Sequence, residues 1–377
     1  MAQLQRILLL SVSAGAAHTR AAEALCAEAR ANFPGVEARH VDVMTLVPAS
    51  FRRLYAESYI KVVEHHPSVW AYLYHASDKM PRDALFAKLR RAVERLNTRR
   101  LCETIREFSP DHLICTHFLP AELLAHEIRR GRIGTPVWVQ VTDFDLHRLW
   151  IQPGVRGYFA ASEEIAFRMA ARGIAAENIF ATGIPIMPAF SRRLDRADCA
   201  PELGIDPNKS TLLVMTGGAG LTGGTAMIER LTALPGDFQI VALAGRNERL
   251  LADYRKLAAA HRGKLFPLGF TTTIERVMAC ADLAVTKPGG LTVSECLAVG
   301  LPMLLVAPIP GQEECNADYP AEHGVALKAP DMIALEYKAA RLVAYPGELR
   351  RLRDNMRGLG RPGAAAEVLN RLLDGAR

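Results

Sequence analysis

Short apolar runs alternate with longer amphipathic stretches along most of the chain. In the first half, the runs lie at residues 7–12, 36–43, 111–116, 137–141, 157–160 and 179–182. Unbroken apolar runs of this length are typical of strands buried on both faces of a parallel sheet. Residues 19–31, after the first run, form an alanine-rich stretch with the spacing of an amphipathic helix. The pattern predicts a parallel sheet covered by helices.

The same alternation resumes in the second half, with runs at 211–215, 239–242, 265–268, 283–285 and 303–306. Between the halves, Gly183-Ile184-Pro185-Ile186-Met187-Pro188 interrupts regular structure, because a proline disfavours helix in the residue before it. We predict an α/β chain with doubly wound domains at 1–188 and 201–350 and a linker at 189–200. Helices at 351–377 follow, and their return to the first domain is one possible arrangement. Ligands bind at the carboxyl ends of such strands, so we expect a cleft that holds one substrate from each domain.

Composition narrows the class of protein. Half of the 377 residues are hydrophobic and 23% are charged, which excludes global disorder.

The apolar start after Arg6 has the composition of a signal peptide, but its direct continuation into a helical stretch favours a first strand. Glycines in 211–228 and prolines in 296–312 argue against a membrane span in either stretch. The seven cysteines contain no CxxC pair, so we interpret them as reduced thiols of a cytosolic chain.

Positive charge is concentrated in residues 51–106. This basic segment holds twelve Lys or Arg against six Asp or Glu, a surplus equal to the net charge of +6 of the whole chain. Aromatic residues, among them Phe51, Tyr55, Tyr59 and Trp70, are interleaved with the cations. Such a mixture is typical of a surface that binds an anionic membrane, and the alternative is a solvated helical face with a few core aromatics. We expect no nucleic-acid partner.

Three glycine-rich turns each follow a predicted strand and precede a predicted helix, at residues 216–220, 244–247 and 287–292. A helix that starts in such a turn presents free backbone N–H groups and the positive end of its dipole, which suits a diphosphate. Arg246 and Lys287 add positive charge to two of the turns. None of the turns is a Walker loop, so phosphate binding by these turns does not imply an ATPase or GTPase.

The richest motif is residues 286–324, TKPGGLTVSECLAVGLPMLLVAPIPGQEECNADYPAEHG. It resembles the donor-binding half of glycosyltransferase family 28, most closely the branch that contains processive diacylglycerol glucosyltransferases and monogalactosyldiacylglycerol synthases. Further matches lie at 15–18, 141–150, 182–186, 244–247 and 268–270. The resemblance implies a GT-B fold, with two Rossmann-like domains facing each other across a cleft. It also implies an inverting β-glycosyltransferase that moves a hexose from a UDP-sugar to 1,2-diacylglycerol, or to the glycosylated lipid, as a peripheral protein on the cytoplasmic face of the membrane.

The resemblance assigns donor contacts to the second domain. Glu295 matches the residue that holds the ribose hydroxyls, and Gln312 and Glu313 match the pair that reads the sugar hydroxyls. Phe270 and Thr271 fall where the family's backbone binds uracil, with Arg246 near the nucleotide. The remaining predicted donor residues are Gly217, Gly218, Lys287, Gly289, Gly290, Thr292 and Asn316. As an ordinary surface acid of a helix, Glu295 would instead have no ligand role.

Transfer to a hydroxyl group needs a base, and the resemblance points to His18, which matches the family's Gly-Gly-His. Asp143, after another first-domain strand, is predicted to orient His18 or to act as the base itself. The chain departs from the family at Ala16 and Ala17, where relatives carry glycines, and alanine tolerates positive φ poorly. This departure leaves the exact contacts of the loop open.

Two further features concern the acceptor and metals. His147 and Trp150 belong to the motif that marks the lipid branch, so they are predicted acceptor contacts, although Trp150 would also serve as a simple core plug. Asp143-Phe144-Asp145 spells the DxD of metal-dependent glycosyltransferases, but Lys287 and helix N-termini can balance the negative charge of the diphosphate, so we expect no metal and no cofactor.

Three rival functions stay open: an undecaprenyl-linked N-acetylglucosaminyl transfer, a UDP-sugar epimerase, and a non-catalytic protein that binds UDP-sugar or lipid.

Overall fold

The computed structural model describes residues 4–13, 15–47, 99–215, 223–308 and 311–374. The chain divides into two compact units. The first comprises Met1–Pro188, Ile309–Gln312 and Pro362–Arg377, and the second comprises Ala189–Pro308 and Glu313–Arg361. Each unit is built on a six-stranded sheet whose described strands all pair in parallel. This arrangement confirms the predicted α/β class with two doubly wound sheets.

The first sheet has the strand order β2-β1-β3-β4-β5-β6. Its strands are β1 (Gln5–Ser11), β2 (Val36–Asp42), β3 (His112–Cys115), β4 (Val137–Gln140), β5 (Gly157–Phe159) and β6 (Ile179–Phe180). Helices of this unit are α1 (Ala16–Asn32), α2 (described over 99–108), α3 (Phe118–Arg129) and α4 (Glu163–Ala171). The strand order reverses between β1 and β3, and this switch point is where open α/β sheets bind ligands.

The second sheet has the strand order β12-β11-β10-β7-β8-β9. Its strands are β7 (Ser210–Met215), β8 (Phe238–Gly245), β9 (Leu265–Gly269), β10 (Leu283–Thr286), β11 (Met303–Val306) and β12 (Ala326–Ala329). Helices of this unit are α5 (Arg196–Leu203), α6 (Gly224–Ala233), α7 (Glu248–Ala260), α8 (Ile274–Ala279), α9 (Gly290–Val299), α10 (Gln312–Glu322), α11 (Met332–Ala344) and α12 (Pro346–Asn355). Here the switch point lies between β7 and β10.

The last described helix, α13 (Ala364–Asp374), belongs to the first unit. Its apolar face, which includes Val368, Leu369 and Leu372, is fully buried. This face packs in one cluster with Leu25 of α1 and Leu9 of β1. The end of the chain therefore covers one face of the sheet on which the chain begins.

The structure departs from the sequence pattern in a few places. Strand β12 was not predicted, because Lys328 interrupts its short apolar run. The segment predicted as a linker contains most of a 3₁₀ turn, Pro188–Ser191, and the start of α5. Most of the basic segment, residues 51–98, lies outside the described residues. Among the described helices, none combines the length and apolar character needed to cross a membrane.

Candidate functional site

His18 lies in the first turn of α1, directly after β1 and therefore at the switch point of the first sheet. Its ring is held through Nδ1, which lies 2.7 Å from Oγ1 of Thr142 and 3.0 Å from the carbonyl oxygen of Thr116. Thr116 follows β3, and its own hydroxyl donates to the carbonyl of His18 at 2.8 Å. The imidazole and its backbone are thus both fixed by residues at the carboxyl ends of neighbouring strands.

Aromatic side chains surround this imidazole. The ring of His117, the residue before α3, meets it edge-on with centroids 4.5 Å apart. The indole of Trp150 lies 6.1 Å from His18 and 6.3 Å from His117. Phe118 packs edge-on against Trp150 at 6.0 Å. His18 therefore lies in a buried cluster of aromatic rings.

Burial controls the protonation of both histidines. Desolvation lowers the pKa of His18 below its usual 6.5, although the Asp143 carboxylate and the hydrogen bond to Thr116 act in the opposite direction. The pKa of His117 is lowered much further, by burial and by its neighbour His18. Both rings are neutral near pH 7, and a neutral imidazole is the form that can accept a proton.

The two acids of the DxD sequence have different surroundings. Asp143 is buried and interacts electrostatically with His18. Asp145 forms an ion pair with Arg168 of α4 at 3.3 Å, and Arg168 also pairs with Glu164 at 2.5 Å. A divalent cation bound by both acids would compete with the Arg168 guanidinium for Asp145.

The two predicted acceptor residues lie at one short turn. His147 caps a 3₁₀ turn over Arg148–Trp150, and its Nδ1 accepts a hydrogen bond from the Leu149 N–H at 3.2 Å. At the end of this turn, the almost completely buried ring of Trp150 lies 6.1 Å from that of His18. The structure therefore places Asp143 and Trp150 beside His18, and His147 three residues before Trp150 in the chain.

The alanines of the first loop do not need positive φ. Gly15 alone takes the unusual backbone conformation, with φ 117°, and Ala16 and Ala17 already belong to α1. Among the described residues, the only non-glycine residues with positive φ are Ser109 and Ala307. The concern that these alanines would strain the loop is therefore wrong, because the turn is completed one residue earlier.

In the second unit, the turn after β10 leads into α9. Lys287 follows the strand, and Gly289 precedes the first helical residue, Gly290, without a capping side chain. Thr292 and Glu295 lie on α9, one turn apart, and Glu295 is buried at 7% exposure. This low exposure argues against an ordinary surface acid. The backbone N–H groups of the first helical turn are oriented toward the carboxyl edge of the sheet.

Arg246 and Phe270 directly follow two paired strands, since Gly245 of β8 aligns with Gly269 of β9. The Arg246 guanidinium lies 4.3 Å from the centre of the Phe270 ring. Phe270 is 56% exposed, which is unusual for so large an apolar side chain. Next to it, the Thr271 hydroxyl accepts from the backbone N–H of Thr273 at 3.1 Å. Arg246 and the exposed ring of Phe270 together are suited to contact with an aromatic base.

The remaining predicted donor residues lie on or near α10, or outside the described part of the chain. Helix α10 begins at Gln312, continues with the partly buried Glu313, and carries Asn316 as a buried side chain. Gly217 and Gly218 lie outside the described residues. The described donor residues therefore follow β8, β9, β10 and β11 in turn, and all but Gln312 belong to the second unit.

Three residues in contact with the site were missed by the sequence analysis: Thr116, His117 and Thr142. Each follows a strand of the first sheet, β3 or β4, at its carboxyl end. Their position at the carboxyl ends of strands in an open α/β sheet is the signal that could have found them.

Two family models match the chain. Residues 18–186 match the model of monogalactosyldiacylglycerol (MGDG) synthase. Residues 219–342 match the glycosyltransferase family 28 C-terminal domain. The first match includes His18, Asp143, His147 and Trp150, and the second includes every predicted donor residue from Arg246 to Asn316.

Similar proteins span nearly the full length. The processive diacylglycerol beta-glucosyltransferase of Bacillus subtilis is 27% identical over 373 residues, covering 98% of this chain and 95% of the relative. The protein of that name from Bacillus pumilus is 26% identical over the same coverage. Among solved structures, Acinetobacter baumannii MurG superposes with a TM-score of 0.63 at 15% identity, over 97% of this chain and 98% of that one. A UDP-GlcNAc 2-epimerase from Neisseria meningitidis, bound to UDP-GlcNAc, gives 0.62 at 12% identity, over 98% and 100%. Likeness at such identity shows a shared fold.

Proposed function

Because the chain belongs to glycosyltransferase family 28, in its monogalactosyldiacylglycerol synthase branch, we propose that it transfers a hexose from a UDP-sugar to 1,2-diacylglycerol. The glycosylated lipid is a second acceptor. The observation that carries this proposal is the similarity to processive diacylglycerol glucosyltransferases over 98% of the chain. The fold is GT-B, as the sequence resemblance predicted.

In the proposed reaction, His18 is the general base. Its Nδ1 is occupied by Thr116 and Thr142, so Nε2 is the nitrogen that takes the proton of the acceptor hydroxyl. The acceptor oxygen then forms a bond to the anomeric carbon while the bond from that carbon to the UDP oxygen breaks. Attack from the side opposite the leaving group inverts the anomeric centre. His18 finally releases the proton to solvent.

Asp143 supports this step through its charge. The carboxylate favours the protonated form of His18, against the desolvation that lowers the pKa of the imidazole. The imidazolium that forms during proton transfer is therefore less costly than burial alone would make it. In this assignment, Asp143 assists His18 and does not replace it.

The second unit supplies the donor contacts. The N-terminus of α9 and Lys287 balance the charge of the leaving diphosphate, and Gly289 and Gly290 let the backbone approach it. Glu295 holds the ribose hydroxyls as a bidentate acceptor. The exposed Phe270 ring, with Arg246 and Thr271 beside it, receives the uracil. Other proposed contacts, to the phosphates and the sugar, are Gly217, Gly218, Thr292, Gln312, Glu313 and Asn316.

The acceptor is a membrane lipid, so we assign His147 and Trp150 to the glycerol region of diacylglycerol. We also assign the protein to the cytoplasmic face of the membrane, where the basic segment would meet anionic lipid. Arg99 and Arg100, at the described end of that segment, are exposed. Each cation near such a surface contributes about 1 kcal/mol, so a few are enough for reversible attachment.

The decisive experiment offers the purified protein UDP-glucose, UDP-galactose or UDP-glucuronate, with diacylglycerol in anionic liposomes, and identifies lipid products by mass spectrometry. We expect a glycosyl-diacylglycerol with one of the three donors, and at least 100-fold slower formation of that product with His18→Ala. Product formed only on an undecaprenyl-linked acceptor would favour the MurG-like alternative. UDP-sugar binding without any lipid product would instead favour a non-catalytic role.

Membrane attachment has its own test. The test variant replaces four arginines of the basic segment by Glu: Arg90, Arg91, Arg99 and Arg100. This variant should sediment less with anionic liposomes, and its affinity for UDP should be unchanged. A matched control reverses four exposed cations of the second unit: Arg230, Arg255, Lys256 and Arg262. The binding should also weaken as salt shortens the Debye length. Equal liposome binding by the two variants would move the membrane contact elsewhere.

A further inference from the structure

His18, His117 and His147 each make hydrogen bonds through Nδ1, but this atom has one role in His18 and the opposite role in the other two. Nδ1 of His117 accepts from the backbone N–H of Leu119 at 3.0 Å, and Nδ1 of His147 accepts from that of Leu149 at 3.2 Å. A backbone N–H can only donate. Both Nδ1 atoms therefore present a lone pair, and in the neutral rings the proton is on Nε2.

His18 has the reverse arrangement. A carbonyl oxygen can only accept, and that of Thr116 lies 3.0 Å from Nδ1 of His18. A lone pair on Nδ1 would face the lone pairs of this oxygen, so Nδ1 must carry the proton. Oγ1 of Thr142, at 2.7 Å, is the nearer acceptor for that proton. The Thr142 hydroxyl is itself 3.5 Å from the same carbonyl, to which it donates.

We propose that Thr142, with the carbonyl of Thr116, is the positioning residue that fixes the proton of His18 on Nδ1 and leaves the Nε2 lone pair for the acceptor hydroxyl. The proposal rests on the proposed function, since it concerns the base of that reaction. Catalytic histidines are commonly oriented by a carboxylate on the second ring nitrogen. Here a hydroxyl and a carbonyl take that position, and Asp143 acts on the ring through its charge.

The position of Thr142 suits a fixed orienting group. It follows β4, is 1% exposed, and faces a histidine that comes 124 positions earlier in the chain. The Thr116 hydroxyl ties the backbone of His18 to the end of β3 at 2.8 Å. The ring and the backbone of His18 are therefore held from two adjacent strands, which leaves the imidazole little freedom to turn.

A neutral orienting group also keeps the base unprotonated. A carboxylate on Nδ1 would strongly favour the imidazolium, whereas a hydroxyl does so only weakly. The charged or titratable groups that act on His18 among the described residues are Asp143, from the loop after β4, and His117, from the N-terminus of α3. The Asp143 carboxylate favours the imidazolium and burial of the ring opposes it, while Thr142 adds only a weak preference for the imidazolium.

The first test compares Thr142→Val with Thr142→Ser. The valine variant loses the oxygen at similar volume, so kcat should fall about 10- to 100-fold, the cost of one hydrogen bond to a group that becomes charged. KM for UDP-sugar should stay unchanged. Since the lost oxygen favours the imidazolium, the acidic limb of the kcat profile should also move to lower pH. Serine should restore both the rate and the limb, which a purely structural defect would not do.

The second test reads the tautomer directly. In ¹⁵N spectra of the whole protein, the protonated and unprotonated ring nitrogens of a histidine resonate far apart, and the signals of His18 are identified by their loss in His18→Asn. We expect protonated Nδ1 for His18 and protonated Nε2 for His117 and His147, which serve as internal controls. A spectrum in which His18 carries its proton on Nε2 would overturn the proposal.

The two tests separate this inference from the proposed function. The spectra need neither donor nor acceptor, so the tautomer can be found even where no glycolipid is made, and in that case the proposed function alone fails. If the parent protein makes glycolipid and a folded Thr142→Val equals it in kcat and pH profile, Thr142 has no positioning role. Thermal melting of both variants verifies that they are folded.

Discussion

Gly360 offers a sharp test of the packing behind the donor residues. A β-carbon on Gly360 would lie 2.4 Å from the carbonyl oxygen of Leu297 and 3.0 Å from Cα of Ala298, both in the backbone of α9. Ordinary contacts begin near 3.4 Å, so Gly360→Ala must move the chain or the helix by about 1 Å. Because backbone lines the contact, no side chain can turn away to relieve it.

Overpacking of this kind costs about 1–3 kcal/mol in the free energy of unfolding. For a unit of this size, each kcal/mol lowers Tm by about 2–4 °C, so we expect a decrease of about 2–12 °C. Helix α9 carries Glu295, two residues before Leu297, so KM for the UDP-sugar should rise as well. Differential scanning calorimetry and steady-state kinetics measure the two effects.

The matched control is Gly363→Ala, three residues further along the chain. A β-carbon at Gly363 meets no atom within 4 Å, so its Tm should stay close to that of the parent protein. A Gly360→Ala protein that melts with the parent, and binds donor equally well, would refute the contact between this segment and α9. Loss of stability in both variants would point instead to a general sensitivity of the connecting segment.

Four further outcomes are expected. His18→Ala should lower kcat by about 10²- to 10⁴-fold with little change in UDP affinity, and a larger loss in Asp143→Asn than in His18→Ala would transfer the role of base to Asp143. Glu295→Ala should weaken donor binding by about 1.5–3 kcal/mol, measured by calorimetry against the exposed control Glu322→Ala, and equal affinities would remove Glu295 from the ribose contact. Activity should persist in EDTA, whereas a loss that Mg²⁺ or Mn²⁺ restores would make the DxD acids a metal site. The free energy of unfolding should fall as pH drops below about 6.5. The pKa values of buried His18 and His117 are lowered, so these rings take up protons more readily in the unfolded chain. The urea midpoint should therefore fall less steeply with decreasing pH in His117→Gln than in the parent protein, and equal pH dependence would contradict this origin.

The sheets could be predicted from the sequence because the strands are buried on both faces. Runs such as 7–12 and 303–306 are rich in apolar residues, and both form interior strands with a neighbour on each side. The edge strand β12 escaped prediction because only two of its four residues are buried and Lys328 faces outward to pair with Asp318. The other edge strands, β2, β6 and β9, were indicated by the runs at 36–43, 179–182 and 265–268. Apolar patterning therefore misses an edge strand when it is as short as β12 and a charged residue interrupts it.

The sequence indicated candidate residues for the site but not the hydrogen bonds between them. His18 and the donor residues were identified from a family resemblance, which the family models confirm at the level of the family. The partners of His18 could not be read in the same way, since Thr116 and Thr142 lie 98 and 124 positions away in sequence. Only the strand order, with β3 beside β1 and β4 beside β3, brings them to one imidazole.

The position of α13 has a consequence for the order in which the protein can fold during synthesis. The apolar side of this helix packs in one cluster with Ile7, Leu9 and Leu25, residues that are synthesised more than 300 positions before it. The chain between Pro188 and Pro362 must be translated before that cluster can form, which at about 5–20 residues per second takes on the order of 10–30 s. During this interval the nascent first unit exposes an unfinished apolar surface while the second unit is still being made. A nascent chain stalled before residue 364 should therefore recruit holdase chaperones to its first unit, and translation of α13 should end that dependence.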